Sequence, residues 1–325
     1  MKDYKKLSLS EAVQRLCEIE NPLVLMHARP DGDTVGSGIA LCKIFRALGK
    51  NPVYLSEDKI PKRLEFLTKG ETLATDSEGR EIVAVDIASP SQAGKILDTL
   101  PDVSLMIDHH ELGKPFADYY TIPKLSSAGE AVLNLALELD RLGKIKLTQE
   151  IAYPLYAAMS SDTACFRYSS ANDETYKKAA ILINTGIDFS DINHKLFNSK
   201  SPEQIKAEGF TSVKMETAEC GKIAYATISL NERLELGIPF EFFETAIDVV
   251  RSLTGVEIAF VVKETDAGEY RVSLRSTGYN VAEVAAIFGG GGHARAAGCA
   301  VMADSIDKVP EIILNNIYFQ EGETK

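Results

Sequence analysis

The stretch Pro22-Leu-Val-Leu-Met-His27-Ala-Arg-Pro-Asp31-Gly-Asp33 sets the architecture of the first half of this chain. It opens with the apolar run Pro22–Met26, passes through a polar loop, and leads into the helical pattern of Thr34–Leu48, which ends at Gly49. A short apolar run followed by a loop and a helix is typical of a parallel sheet unit. We therefore expect a buried strand to lead directly into an acidic loop and a helix.

Further apolar runs recur at helix-length intervals on the C-terminal side of this unit. They are Val53–Leu55, Ile82–Val85 and Val103–Ile107. Helical patterns accompany them at Leu9–Ile19, Ser127–Leu142, Gln149–Ser160 and Asp173–Thr185. This alternation favours a mainly parallel sheet covered by helices, so the first half is expected to be a doubly wound α/β domain.

The second half has elements of mixed order. Strand patterns occur at Phe210–Glu216, Lys222–Ser229, Val256–Glu264 and Tyr270–Arg275, and helical patterns at Phe240–Leu253, Val281–Phe288 and Ser305–Ile317. The intervening sequence is polar and weakly periodic. We expect a first domain over residues 1–186, a connecting segment over 187–209, and a smaller mixed α/β domain over 210–325.

The composition is that of an ordinary folded protein, with 45% hydrophobic and 25% charged residues in 325 positions. Thirty-five basic residues stand against 47 acidic ones, which gives a formal net charge of −12. A protein that binds long duplex nucleic acid usually presents a basic face. The charge therefore argues against long duplex nucleic acid as a partner, and any nucleic-acid substrate should be short.

Cysteine usage and hydropathy indicate a cytoplasmic protein. The five cysteines are far apart and form no C-x-x-C pair, so the sequence suggests neither a disulfide framework nor a structural zinc site. Apolar runs fall well short of the ~20 residues needed to span a bilayer, so no membrane partner is expected. A homodimer is an open alternative to a monomer.

Acidic and imidazole side chains follow four predicted elements. His27, Asp31 and Asp33 follow the first strand, Asp86 follows Ile82–Val85, the triplet Asp108-His109-His110 follows Val103–Ile107, and Asp162 follows a helix. In an open α/β sheet, loops at the carboxyl ends of neighbouring strands share one crevice. Two carboxylates in one tight turn repel each other unless a cation lies between them. The pattern predicts a metal site.

These clusters resemble the four motifs of the DHH phosphoesterase family, named after its Asp-His-His sequence. The second half adds Val272–Ser276 and the run Phe288–Gly298, which contains Gly-Gly-Gly-Gly-His, and this pair is similar to the DHH-associated C-terminal domain. The resemblance spans nearly the full chain. It implies an active-site cleft between the two domains and a hydrolase like the family members that cleave very short RNA and dephosphorylate 3'-phosphoadenosine 5'-phosphate.

The resemblance also implies two divalent ions, with manganese favoured by the imidazoles. It assigns His27, Asp31 and Asp86 to one ion, and Asp33, Asp86, His109 and Asp162 to the other. Asp86 would bridge the ions, Asp108 would fix the tautomer of a neighbouring histidine, and His110 would face the substrate phosphate. Two such ions would activate a water for attack on phosphorus.

The glycine run is expected to bind the substrate. Glycines let backbone amides approach an anion closely, and His293 adds a donor. The expected substrate-binding residues are Gly290, Gly291, Gly292, His293, Arg275, Ser276 and Arg167.

Two stretches depart from the family pattern. Asp86 is followed by Ile87-Ala-Ser-Pro-Ser-Gln92, without the Thr and Arg found in many relatives, which puts substrate contacts of that loop in question. Ala164 stands where glycine is common. The metal-ligand positions show no substitution.

Four alternative functions stay open from the sequence. A cyclic or linear dinucleotide phosphodiesterase uses the same two domains. A processive exonuclease would need further nucleic-acid-binding domains, and an inorganic pyrophosphatase would not explain the Gly-Gly-Gly-His motif. A nucleotide-binding protein without hydrolysis is the fourth, and the intact ligand set argues against it.

Overall fold

The computed structural model describes residues 4–110, 113–122, 124–265 and 267–317, the side chain of His293 excepted. The chain divides into two compact units, Met1–Ser199 and Lys200–Lys325. The division lies within the expected connecting segment 187–209. In the described residues, no helix combines the length and the apolar character that crossing a membrane requires.

The first unit is built on a five-stranded parallel sheet, which confirms the expected doubly wound fold. Its strand order is β2-β1-β3-β4-β5. The strands are β1 (Pro22–Leu25), β2 (Val53–Leu55), β3 (Glu81–Val85), β4 (Val103–Asp108) and β5 (Tyr119–Thr121). The sequence patterns did not predict β5, because each side chain of Tyr-Tyr-Thr carries a hydroxyl and the stretch does not stand out as an apolar run, unlike the equally short Val-Tyr-Leu of β2.

Helices cover both faces of this sheet. They are α1 (Leu9–Glu18), α2 (Gly32–Ala47), α3 (Glu65–Thr68), α4 (Pro90–Ala93), α5 (Ala128–Arg141), α6 (Gln149–Asp162), α7 (Asp173–Ile183) and α8 (Phe189–Asn193), followed by a π-helical turn at His194–Asn198. One apolar cluster joins the inner faces of α1, α2, α5 and α6 to one face of the sheet, and a smaller one covers the other face. Parallel sheets need this two-sided burial.

Glycine makes the tightest helix contact in this unit possible. A Cβ at Gly36 of α2 would lie 2.5 Å from the carbonyl oxygen of Pro154 and 2.9 Å from the Cβ of Ala158, both on α6. A Cβ at Gly129 of α5 would lie 2.6 Å from the same Ala158 Cβ. Helices α2, α5 and α6 therefore meet at distances that a larger side chain would prevent.

The second unit has a six-stranded mixed sheet of order β10-β11-β9-β8-β7-β6, as expected. The strands are β6 (Glu216–Ala218), β7 (Ile223–Ile228), β8 (Ile258–Glu264), β9 (Tyr270–Ser276), β10 (Gly291–His293) and β11 (Ala296–Val301). Only β7 and β8 pair in parallel. Each face of the sheet packs against its own apolar cluster.

The helices of the second unit are α9 (Pro202–Val213), α10 (Leu230–Leu236), α11 (Ala246–Arg251), α12 (Val281–Ile287) and α13 (Val309–Leu314). Short 3₁₀ turns in the two units lie at Lys62–Leu64, Lys95–Thr99, Glu219–Gly221, Phe240–Phe243 and Ile306–Lys308. The expected helix Phe240–Leu253 is thus a 3₁₀ turn followed by α11, and Ser305–Ile317 is a 3₁₀ turn followed by α13.

The expected strand Phe210–Glu216 is wrong, because most of this stretch belongs to α9. The Ser201 side chain caps that helix by accepting the backbone N–H of Gln204, and Pro202 occupies its first turn. Ala207 and Thr211, four positions apart, are buried on the same side. The apolar run of Phe210–Glu216 is therefore the end of a helical face rather than a strand.

The glycine run is part of a β-hairpin. Gly291–His293 forms β10 and pairs with Ala296–Gly298 of β11. A Cβ at Gly290 would lie 2.2 Å from the carbonyl oxygen of Gly298, and a Cβ at Gly292 would lie 2.4 Å from that of Ala296. At least two of these glycines are thus required by backbone packing of the hairpin, independently of any ligand.

Candidate metal centre

The loop from β1 into α2 places three candidate donors. Asp31 is the N-cap of α2, and its Oδ1 accepts the backbone N–H groups of Asp33 and Thr34 at 3.0 and 3.1 Å. Asp33 lies in the first turn of α2 and is 1% exposed. The Thr34 hydroxyl accepts from the backbone N–H of His27 at 3.3 Å and lies 3.2 Å from the carbonyl oxygen of Val85. The loop is therefore tied to the end of β3, where the next donor lies.

Asp86 directly follows β3 and has a left-handed backbone, with φ of 58°. Its backbone N–H donates to the carbonyl of Ile107 on β4 at 2.9 Å, and the residue is 4% exposed. A non-glycine residue with positive φ is uncommon, although aspartate tolerates it better than most residues. The turn directs this carboxylate toward both His27 and His109.

The Asp-His-His triplet lies at the carboxyl end of β4. Nδ1 of His109 bonds to the carbonyl of Leu125 at 3.1 Å, which makes Nδ1 the protonated nitrogen and leaves Nε2 as an acceptor. Nδ1 of His110 lies 2.7 Å from Oδ1 of Asp108, which is 3% exposed. Asp108 thus orients the ring of His110.

Asp162 follows no strand and lies at the C-terminal end of helix α6. The close crossing of α2 and α6 at Gly36 brings this residue to the same place as Asp33. The turn after it contains three consecutive left-handed residues, Ala164, Cys165 and Phe166, with φ values of 48°, 62° and 59°. Glycine would suit position 164 because it adopts positive φ without a Cβ penalty.

The donors form three groups whose ligand atoms lie within 4.8 Å of one another. They are His27, Asp31 and Asp86; Asp33, His109 and Asp162; and Asp86, His109 and His110. Nε2 of His27 is 3.6 Å from Asp31 and from Asp86. Nε2 of His109 is 3.8 Å from Asp33, 3.7 Å from Asp86 and 3.7 Å from Asp162. The structure thus brings together all six residues that the sequence selected as ligands.

These separations fit cations better than hydrogen bonds. They exceed hydrogen-bonding distance, yet atoms that share one small divalent ion at about 2.0–2.2 Å lie about 3–4 Å apart. The donor set of carboxylate oxygens and imidazole nitrogens also suits a divalent transition metal. The residues present therefore fit the group that the sequence motifs predict.

The protonation equilibria of the cluster point the same way. Burial, with the neighbouring carboxylates Asp162 and Asp31, raises the pKa of Asp33 well above its usual value. Burial and Asp33 do the same to the pKa of Asp86, and burial raises the pKa of Asp162 to about 6. Buried carboxylates that crowd one another need positive charge nearby, and a bound cation supplies it.

The pKa values of the histidines in this cluster are raised as well. Burial lowers the pKa of His27, but the neighbouring carboxylates of Asp31 and Asp86 outweigh it and raise that pKa to about 11. The hydrogen bond to Asp108 raises the pKa of His110. In the absence of a metal ion, protons on the imidazoles thus take the place of the cations.

Backbone groups that sequence reasoning missed support Asp33 and His109. The N–H groups of Ala128 and Gly129, at the start of α5, donate to Asp33 at 2.7 and 3.0 Å, and the Ser37 hydroxyl donates to it at 2.9 Å. The start of a helix favours a negative charge. Backbone donors leave no residue-type signal in a sequence.

In the second unit, Arg275 belongs to a basic face of the sheet. Phe260, Val262, Val272 and Leu274 pack into one apolar cluster, so the alternate residues of β8 and β9 point to the other face. These include Lys263, Arg271, Ser273 and Arg275, and the register pairs Lys263 with Arg271. Burial, with Arg275 and Arg271 nearby, lowers the pKa of Lys263 to about 8.

Sequence reasoning did not select Lys263, although a lysine within the apolar run Ile258–Glu264 was the available signal. Its Nζ lies 5.4 Å from the centre of the Phe240 ring, and the guanidinium carbon of Arg233 lies 5.2 Å from the same ring. Lys263 is 5% exposed. The basic face therefore continues into the protein beneath Phe240.

The other residues expected to bind substrate have local partners. Ser276 Oγ donates to the carbonyl of Tyr279, Arg275 Nη1 donates to the carbonyl of Leu274 at 2.9 Å, and Arg167 Nε donates to that of Ala164 at 2.7 Å. The backbone of Gly290–Gly292 belongs to the hairpin, and the side chain of His293 lies outside the described structure. Their roles in binding stay a prediction.

Comparison with known proteins identifies both units. Residues 21–159 match the DHH family, N-terminal domain, and residues 221–317 match the DHHA1 domain. The chain is 26% identical over 322 residues to the bifunctional oligoribonuclease and PAP phosphatase NrnA of Thermus thermophilus, covering 97% of this chain and 94% of that protein. It is 24% identical over 304 residues to the Bacillus subtilis protein of the same name, with 92% and 96% covered.

Two further relatives define the range of the similarity. The cyclic-di-AMP phosphodiesterase GdpP of Bacillus subtilis is 24% identical over 345 residues, covering 97% of this chain but only 50% of that protein. A solved structure of an exopolyphosphatase-related protein from Bacteroides fragilis superposes with a TM-score of 0.87 at 22% identity, covering 95% of this chain and 94% of that one, which supports the fold. The chain therefore belongs to the DHH phosphoesterase family and carries both a DHH and a DHHA1 domain.

Proposed function

We propose that this enzyme is a manganese-dependent phosphoesterase that hydrolyses very short oligoribonucleotides to mononucleotides and also dephosphorylates 3'-phosphoadenosine 5'-phosphate. The observation that carries the proposal is the pair of donor groups around Asp86 and His109 in the first unit. The names of the Thermus thermophilus and Bacillus subtilis relatives, which match almost end to end, support the choice of substrates. The five cysteines are all free, in keeping with a cytoplasmic location.

The proposed site holds two ions. His27, Asp31 and Asp86 hold one, and Asp33, Asp86, His109 and Asp162 hold the other, with Asp86 common to both. Bound divalent ions supply Lewis-acid stabilisation of the phosphoryl group and lower the pKa of a water molecule. Imidazole nitrogens among the ligands favour manganese over magnesium, which prefers an all-oxygen environment.

The remaining polar side chains of the first unit act on the substrate. The hydrogen bond that His110 Nδ1 donates to Asp108 orients this ring, and the raised pKa of His110 keeps a proton available on it for a phosphate oxygen. Arg167 provides a second positive charge near Asp162. These roles require no covalent link between enzyme and substrate.

The second unit binds the rest of the substrate in this proposal. Arg275, Ser276, Gly290–Gly292 and His293 contact a phosphate or the terminal nucleotide, and the basic face shared with Arg271 and Lys263 supports this role. A cyclic or linear dinucleotide phosphodiesterase is the second candidate. The match of GdpP across nearly the whole chain favours it, although that protein is twice as long as the matched region.

A substrate panel tests the proposal. It compares labelled RNA of two, five and ~25 nucleotides, 3'-phosphoadenosine 5'-phosphate, a cyclic dinucleotide, its linear product and pyrophosphate, each with manganese or magnesium. We expect the highest kcat/KM for RNA of about two to five nucleotides, because a chain of net charge −12 gains little from the counterions released by a long strand.

The panel also separates the alternatives. Equal or better kcat/KM on the ~25-mer under the same salt would indicate a processive exonuclease. Preferred turnover of the cyclic dinucleotide would identify the second candidate, and preferred turnover of pyrophosphate would overturn both. Binding without turnover of any substrate would indicate a nucleotide-binding protein.

A further inference from the structure

Glu130, in the first turn of α5, is a buried charge outside the proposed ligand set. Its side chain is 1% exposed, and the side chain of its partner Lys178, on α7, is 14% exposed. Oε2 of Glu130 accepts from Lys178 Nζ at 2.8 Å. Oε1 accepts from the hydroxyls of Ser126 and Thr175, each at 2.6 Å. The carboxylate therefore joins the start of α5 to α7.

A fully hydrogen-bonded buried ion pair is weak evidence for stability, because apolar residues of the same volume often serve the fold equally well. Hydrogen bonds to Lys178, Ser126 and Thr175 outweigh burial and lower the pKa of Glu130, so the carboxylate is charged at neutral pH. Such an arrangement fixes positions more strictly than apolar packing does. The question is which groups it positions.

The segment that Glu130 holds is Leu125–Gly129. Glu130 also accepts the backbone N–H of Ser126 at 3.3 Å, so the backbone N–H and the hydroxyl of Ser126 both donate to this carboxylate. On one side of Ser126, the carbonyl of Leu125 accepts from His109. On the other side, backbone N–H groups donate to both oxygens of Asp33. One short segment thus supports two candidate ligands of the same ion.

The other donor group has separate supports. Asp31 accepts from backbone N–H groups of its own helix, and Nδ1 of His27 contacts the carbonyl of Ala28 at 2.7 Å. Gln92 of α4 holds that loop: its carbonyl accepts from the Ala28 N–H at 2.7 Å, and its Oε1 accepts from the Ala88 N–H at 2.6 Å. These bonds lead to α2 and α4, not to α5 or α7.

We infer that Glu130 is a positioning residue that sets the affinity of one metal subsite, the one formed by Asp33, His109 and Asp162, and leaves the affinity of the His27 and Asp31 subsite unchanged. The inference rests on the proposed two-ion site. It makes α7, which supplies Thr175 and Lys178, part of the apparatus that determines occupancy of one ion.

The test is a titration of chelator-treated protein with Mn²⁺ alone, in which calorimetry measures the affinity of each binding event. The double variant E130Q/K178M removes both buried charges together and leaves no unpaired lysine. T175V removes a single hydrogen bond to the carboxylate. K177M is the matched control, because Lys177 lies beside Lys178 on α7 but pairs with the exposed Asp173 and Glu174. D31N and D33N assign the two binding events to the two subsites.

We expect E130Q/K178M to weaken the binding event that D33N removes by about 10–100-fold, the usual effect of losing a residue that orients a metal ligand. T175V should weaken the same event by a smaller factor. The event that D31N removes should be unchanged in E130Q/K178M and in T175V, and K177M should match the wild type in both events.

Equal weakening of both events would overturn the inference, because a purely structural role disturbs the whole unit. Unchanged affinity for both ions in the double variant would also overturn it. If circular dichroism shows that the double variant is unfolded, T175V and S126A decide in its place. A wild-type protein that binds fewer than two Mn²⁺ ions would refute the two-ion site and this inference together, whereas failure in the variants alone leaves the proposed function standing.

Discussion

The two units of this chain gather charges of opposite sign in different surroundings. In the first unit, carboxylates converge in the interior, with Asp33 and Asp86 almost fully buried. In the second, basic side chains share a sheet face that is partly open, where Arg271 has a side chain 60% exposed. Crowded buried carboxylates raise one another's pKa, whereas exposed cations are solvated and screened.

The charged groups of the two units are therefore stabilised in different ways. In the first unit, burial raises the pKa values of Asp33 and Asp86 well above their usual range, and a bound cation favours their ionised forms. The second can stay charged without a ligand, and in the proposed function its cations bind a phosphate group. We therefore expect metal removal and acid to affect the first unit, and loss of a basic side chain to affect substrate capture alone.

The largest effect is expected from D86N. Asp86 is common to both proposed ions, and its amide replacement keeps the shape while removing the charge. We expect kcat to fall by about 10³-fold or more, and D33A should act similarly, because loss of metal stabilisation costs several kcal/mol in the transition state. Steady-state kinetics with saturating manganese measures this, with the exposed D98N as the control. Activity above about a tenth of wild type would contradict the bridging role.

Substitution in the second unit should separate binding from metal content. R275M should lower kcat/KM by about 10–100-fold, because a charged hydrogen bond to phosphate is worth roughly 1.5–3 kcal/mol, and H293A should act in the same direction. R251M, a change to an exposed arginine on α11, is the control. Elemental analysis should find wild-type manganese in every variant. A loss of manganese in R275M or H293A would place that residue in the metal centre or the fold instead.

The pH dependence of manganese binding should follow the carboxylates of the first unit. Protons held by Asp33, Asp86, Asp162 and His27 must leave before these groups can ligate, so affinity should fall as the pH drops from 7 through about 6, the raised pKa of Asp162. Each displaced proton contributes up to about tenfold per pH unit. Calorimetry in buffers of different ionisation enthalpy counts the protons released. A pH-independent affinity from 7 to 5.5 would contradict the assignment.

The same raised pKa values determine how the free energy of unfolding changes with pH. Raised folded pKa values of Asp33, Asp86 and Asp162 contribute stability that is present below their unfolded pKa and is lost as the pH rises through the folded values. When the pH rises, the free energy of unfolding should therefore increase less for the metal-free protein, prepared with a chelator, than for the manganese-loaded protein. Urea titrations at pH 5 and 7 with and without manganese compare the two.

The smallest effect on catalysis is expected from G36A, which tests how the first unit brings Asp33 and Asp162 together. An added Cβ would meet α6 at 2.5 Å, so we expect a loss of about 1–3 kcal/mol in the free energy of unfolding. G209A is the matched control, because Gly209 also lies within a helix but has open space around it. It should stabilise by up to about 1 kcal/mol. Equal changes in the free energy of unfolding of G36A and G209A would show that the close crossing of α2 and α6 can accommodate a methyl group.

Much of the first unit could be predicted from the sequence because its signals are local. Apolar runs mark the buried strands, and the rule that loops at the carboxyl ends of a parallel sheet meet at one place brings Asp86 and His109 together. The structure gathers all six selected donors into overlapping groups. Their roles as ligands stay a prediction that the variants above test.

The remaining features of the site and fold could not be predicted, because they depend on backbone groups and backbone conformation rather than on the types of residue in the sequence. The Leu125 carbonyl and the Ala128 and Gly129 N–H groups are backbone groups, and any residue offers them. The apolar end of α9 resembled a strand because its helical face is short. The departure at Ala164 gains a physical reason only from its φ of 48°, a conformation that glycine adopts without cost.

The wide sequence separation of the donors has a consequence for the order of synthesis. His27, Asp31 and Asp33 leave the ribosome before Asp162, which follows Asp33 by 129 positions. Because domains fold as units once their elements are complete, the subsite that needs both residues cannot exist on a nascent chain that lacks α6. Metal loading of the proposed subsite therefore has to wait until α6 has been synthesised and packed against α2.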